Sequence, residues 1–177
     1  MAEKKINKTE RILSIYHLLI YCEEVSFKEM TDLMPGSEKT FSRDIELLRN
    51  TGVPVYYSKK KKAFILKKTG DISSDRIEMR FPEEKTKILY FEKIIRLTKM
   101  MCEMDSAEEP EKWYAEMFPG LSKRTMERDF AVLNAIGYKI RYKRSEDDDI
   151  GDYDSPLNKY YCEWPYNTYG LETFYYF

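Results

Sequence analysis

The stretch Pro35–Val53, PGSEKTFSRDIELLRNTGV, decides the fold. Pro35 and Gly36 make a turn. Ser37 follows as a helix cap, its hydroxyl accepting from a backbone N–H of the first turn. From Glu38 to Asn50 the apolar residues Phe41, Ile45 and Leu48 recur at helical spacing and mark one buried face. Gly52 stops the helix at a position where positive φ costs little. The opposite face carries Lys39, Thr40, Ser42, Arg43 and Arg49. Short hydroxyls and long cations outside an apolar inner face fit a DNA major groove. They also fit an ordinary solvated helix.

The stretch occurs twice. Pro119–Tyr138 reads PGLSKRTMERDFAVLNAIGY, and Thr40, Arg43, Asp44, Leu48 and Gly52 return as Thr125, Arg128, Asp129, Leu133 and Gly137, each 85 residues on. The Pro-Gly turns are 84 apart, so the second carries one extra residue. Helical patterning alone does not repeat a Pro-Gly turn, a Thr-x-x-Arg-Asp string and a terminal glycine in order. The chain contains an internal duplication.

Working outward, a first helix is expected from Lys8 to Glu24 and a second over Phe27–Leu33. The second opens on the capping-box pair Ser26 and Glu29. After Gly52 the period changes to two. Val53–Ser58 and Ala63–Lys67 read as strands around Lys59, Lys60, Lys61 and Lys62, a hairpin with a lysine tip. Three helices and a hairpin form a winged helix-turn-helix, with the hairpin as its wing.

Thr69–Asp75 reads as a linker and Ile77–Phe81 as a short strand, after which Pro82 opens a long helix to about Met104. Ile94, Ile95, Leu97, Met100 and Met101 repeat Ile12, Leu13, Ile15, Leu18 and Leu19 at an offset of 82. Glu111–Phe118 repeats the second helix, and Leu121–Ile136, capped by Ser122, repeats the third. Lys139–Lys143 and Lys159–Trp164 repeat the hairpin. The expected fold is α+β, mostly α, with two tandem winged helix-turn-helix domains. Residues 1–68 form the first, 69–81 the linker and 82–177 the second.

Charge separates the two copies. Net charge is −1 over 177 residues, but residues 1–70 hold 14 Lys/Arg against 9 Asp/Glu, whereas residues 71–177 hold 16 against 22. The first half is the better polyanion binder. The second hairpin encloses the acidic loop RSEDDDIGDYDSPLN, which a phosphate backbone repels. That loop either contacts a basic protein surface or is disordered. The aromatic tail Pro165–Phe177 either folds back on the second domain or buries against another subunit.

Little in the sequence points to catalysis. Cys22, Cys102 and Cys162 are scattered, there is one histidine, and no Cys-x-x-Cys pair suggests zinc. Buried free thiols in a reducing cytoplasm are expected. His17 is placed at a core edge or the surface. Asp44 and Asp129 are read as groups that cap or salt-bridge their neighbours. No glycine-rich phosphate loop and no EF-hand order of ligands is present. Ile12–Cys22 is too short to span a bilayer. The expectation is a cytoplasmic protein without cofactor or metal, and not an enzyme.

Lys8–Leu66 resembles the winged-helix domains of DeoR type, especially those that open bacterial transcriptional regulators with a WYL ligand-sensing domain. Ser37, Thr40, Arg43, Asp44, Leu48 and Gly52, followed at once by a hairpin, carry the resemblance. It implies a helix in the major groove. A second winged helix stands where the WYL domain would follow, so ligand sensing is not implied. The expected function is a DNA-binding transcriptional regulator. Lys39, Thr40, Ser42 and Arg43 contact double-stranded DNA and Lys59–Lys62 hold the flanking backbone. Lys123, Arg124, Thr125 and Arg128 are candidates for the same role in the second copy. The alternative is a winged-helix adaptor whose second domain binds a protein partner or makes a homodimer.

Overall fold

The computed structural model describes residues 6–67, 79–104, 109–143 and 159–163. The linker 69–75, the acidic loop 144–158 and the aromatic tail 165–177 lie outside the described residues. Helix dominates: α1 (Lys8–Tyr21), α2 (Phe27–Leu33) and α3 (Glu38–Asn50) precede the short strands β1 (Val55–Ser58) and β2 (Ala63–Leu66). Then come α4 (Lys85–Glu103), α5 (Pro110–Met117), α6 (Lys123–Ala135), β3 (Lys139–Lys143) and β4 (Lys159–Glu163). Each strand pair is antiparallel, with Val55 opposite Leu66 in the first and Lys139 opposite Glu163 in the second. The chain divides into two compact units, one with the described residues up to Thr98, the other with those from Lys99 onward. Among the described residues no helix is long and apolar enough to cross a membrane.

In the first unit, local chemistry sets the helix starts. Asn7 and Glu10 form a reciprocal capping box on α1, as Ser26 and Glu29 do on α2. Ile12, Leu13, Ile15 and Leu19 of α1 are buried with Met30 of α2 and Phe41, Ile45 and Leu48 of α3. Full burial of such a side chain stabilises the fold by about 1.5–3 kcal/mol. α1 stops at Tyr21 rather than at Glu24. The chain turns extended at Cys22, and Val25 exchanges two 2.8 Å backbone hydrogen bonds with Phe64. That bridge joins the α1–α2 connection to the hairpin and takes the last residues expected in the helix.

His17 is buried, not at an edge, because the apolar face of α1 is broad enough to include it. Cys22 is half-buried and Cys102 exposed, so neither is the buried thiol expected. Pro82 does not open α4. The first α4 bond runs from the Ile88 N–H to the Glu84 carbonyl. Ahead of it the Arg80 N–H bonds to the Asn50 carbonyl and the Phe81 ring packs 4.9 Å from Phe91. These anchors hold the approach out of helical geometry, and residues 79–81 form no strand.

The 85-residue offset recurs in the hydrogen bonds. Ser37 Oγ accepts from the Thr40 N–H at 3.3 Å, and Ser122 Oγ from the Thr125 N–H at 3.2 Å. At the other end of the helix the Val53 N–H reaches the Leu48 carbonyl, and the Tyr138 N–H reaches that of Leu133, both at 3.1 Å. Gly52 (φ 90°) and Gly137 (φ 99°) supply the left-handed residue of this Schellman ending. Arg49 Nε then donates to the Val55 carbonyl at 2.7 Å, and Asn134 Nδ2 to the Ile140 carbonyl at 2.9 Å. One position ties helix to hairpin in both copies, with a different residue at each.

Candidate nucleic-acid interface

The outer face of α3 follows from its inner one. Phe41, Asp44, Ile45 and Leu48 are buried, so Lys39, Ser42, Arg43 and Glu46 turn outward and are exposed. Asp44, 1% exposed, is held by Arg11 Nε of α1 at 2.6 Å. Thr40 is half-buried, and its hydroxyl lies 3.0 Å from Ser37 Oγ, so it serves the cap. Arg49, read in sequence as part of the outer face, is instead half-buried between helix and hairpin. It donates to Val55 and sets its guanidinium 6.0 Å from the Phe64 ring centre. Among the repeated motif residues of α3, Arg43 alone is exposed, and no hydrogen bond or ion pair engages it among the described residues.

The hairpin tip presents Lys59, Lys60, Lys61 and Lys62, all exposed. They are not equivalent. Lys61 Nζ sits 2.7 Å from Glu24, and that hydrogen-bonded carboxylate raises its pKa. Lys59, Lys60 and Lys62 have no such partner among the described residues. The first unit thus carries Lys39 and Arg43 exposed on α3 and three uncommitted lysines on the hairpin tip.

α6 presents the corresponding face with different charge. Arg124 and Arg128 are exposed, Thr125 is half-buried at its cap 3.0 Å from Ser122 Oγ, and Asp129 is buried. Asp129 accepts a 2.7 Å hydrogen bond from the Tyr114 hydroxyl of α5. Lys123 is bound to Glu111 at 3.1 Å, which raises its pKa. Glu127, exposed, stands at the position of Ser42. Beside this face an open cleft of about 260 Å³ is lined by Glu109, Glu111, Lys112, Ala115 and Tyr160. Burial, and then Glu127, raise the Tyr160 pKa.

The sequence reading passed over the wing tyrosines. Tyr56, Tyr57 and Tyr142 are among the exposed large side chains. Strand alternation carried a signal, since Val55-x-Tyr57 places Tyr57 on the side of the buried Val55. Among the described residues no three His, Cys, Asp or Glu side chains converge as a metal site. No family model matches the chain, and no curated protein or solved structure is significantly similar to it.

Proposed function

We propose that this chain is a double-stranded DNA-binding protein made of two tandem winged helix-turn-helix units, and that it regulates transcription. One observation carries the reading. Ser37 and Thr40 cap the helix, Asp44 anchors it and Gly52 ends it, whereas Arg43 is exposed and uncommitted. The duplication retains that arginine as Arg128, also exposed. A guanidinium on the outer face of such a helix has the length and fork geometry to read guanine in the major groove. Lys39, Lys59, Lys60 and Lys62 suit the phosphates beside it. The resemblance to DeoR-type winged helices supports the same assignment.

The test is Arg43→Ala in the intact chain, measured on a duplex selected by the wild type from a random pool. A base-reading arginine predicts a loss of about 1–3 kcal/mol on that duplex. Binding equal to wild type on both selected and random duplexes would overturn the role given to α3.

A second reading applies to the second unit. Glu127 replaces Ser42, Lys123 is paired with Glu111, and Tyr160 and Glu111 line an open cleft. This face suits a protein partner, or a second copy of the chain, better than it suits phosphate. Arg128→Ala then leaves DNA affinity unchanged while Arg43→Ala does not.

A further inference from the structure

Both hairpins carry the same aromatic arrangement, and the reading of α3 leaves it unused. Tyr57 of β1 stands opposite Phe64 of β2, ring centres 5.0 Å apart. Tyr142 of β3 stands opposite Tyr160 of β4, ring centres 5.1 Å apart. Tyr57 and Tyr142 are separated by the same 85 residues as Arg43 and Arg128. A cross-strand ring pair stabilises a two-stranded ribbon through its ring faces and edges. Phenylalanine would serve that purpose equally, yet both positions hold tyrosine. The side chains are 41% and 43% exposed, and neither hydroxyl makes a hydrogen bond among the described residues.

The two faces of β1 differ in what surrounds them. Tyr56 points to the opposite face from Tyr57. The tip lysine Lys61 is tied to Glu24 at 2.7 Å, a carboxylate that repels phosphate, and Glu24 first, then Glu23 and Tyr56, raise its pKa. Tyr57 shares its face with Val55 and Phe64, and Arg49 of α3 grips both. Tyr57 therefore lies about 7 Å along the strand from the residue bonded to α3. The lysine tip begins two residues further on.

We propose that Tyr57 is a DNA-backbone contact, its hydroxyl donating to a phosphate oxygen beside the groove occupied by α3 while Phe64 holds the ring. The inference rests on the duplex-DNA reading of α3. The donor is uncharged and neutralises no phosphate, so it adds affinity without adding to counterion release. That property separates it from the lysines.

The experiment is fluorescence anisotropy on the intact chain with a labelled mixed-sequence duplex, at about 50, 100 and 200 mM salt. Wild type is compared with Tyr57→Phe, Tyr56→Phe and Lys60→Ala. Tyr57→Phe keeps the ring pair and is expected to melt as wild type. Its affinity should fall about tenfold or more at every salt concentration, the effect of one hydrogen bond from an uncharged donor to a charged acceptor, with the wild-type salt slope. Tyr56→Phe should match wild type, and Lys60→Ala should reduce the slope by about one. Tyr57→Phe binding as tightly as wild type, or an equal loss in Tyr56→Phe, would overturn the proposal while leaving α3 in place. A wild type without salt-dependent binding would overturn the α3 reading itself.

Discussion

Asp44 and Asp129 occupy one position of the repeat, both are 1% exposed, and each is held by a neighbouring helix, which makes their contribution measurable. Asp44 is buried against a guanidinium that is itself only 16% exposed. Asp44→Asn leaves Arg11 without its counter-charge and should cost about 2–3 kcal/mol in urea unfolding. Tyr114→Phe removes a donor to a buried carboxylate and should cost about 1–2 kcal/mol. His17 adds a pH effect. Burial lowers its pKa to about 4, from an ordinary 6.5, so the folded chain holds it neutral. Its contribution is complete above about pH 6.5 and is lost as pH falls toward 4, at about 1.4 kcal/mol per unit. Melting followed between pH 7 and 5, above most carboxylate titrations, should show this slope in wild type and lose it in His17→Leu. At this scale the sequence was partly legible. Helical period alone placed Lys39, Ser42 and Arg43 outside. The Asp44–Arg11 pair spans 33 residues, and the partners of Lys61 and Lys123 come from other elements, so no local pattern revealed them.

The elements were legible where their signals lie within a few residues. α2 and α3 start and stop as expected because Ser26, Ser37 and Gly52 fix their ends through nearby backbone groups. α1 and α4 deviate at the ends where a distant partner intervenes: Phe64 draws Val25 out of helix, and the Asn50 carbonyl holds Arg80. Substitutions at the local signals should act equally in the two copies. Ser37→Ala and Ser122→Ala should each cost about 1 kcal/mol, read as a loss of stability by far-UV circular dichroism. Gly52→Ala forces a side chain to φ 90° and should cost about 1 kcal/mol or more. In DNA binding it should weaken affinity further, because the glycine also sets the path from α3 into the hairpin.

For the whole molecule, the two copies share a backbone plan and differ in electrostatics. The first offers Lys39, Arg43, Lys59, Lys60 and Lys62 as uncommitted cations. The second offers Arg124 and Arg128 beside Glu127, with Lys123 already paired. A net charge of −1 hides this asymmetry, which only the division of charge along the chain revealed. Four phosphate contacts, from Lys39, Lys59, Lys60 and Lys62, predict a slope of about −3 to −4 in log affinity against log salt. The most direct measurement is anisotropy of the intact wild type, Arg43→Ala and Arg128→Ala at about 50, 100 and 200 mM salt on the duplex selected by the wild type. Steep salt dependence in the wild type, with affinity lowered by Arg43→Ala and left unchanged by Arg128→Ala, is the predicted result. Absence of duplex binding at low salt, or binding indifferent to Arg43, would contradict the account.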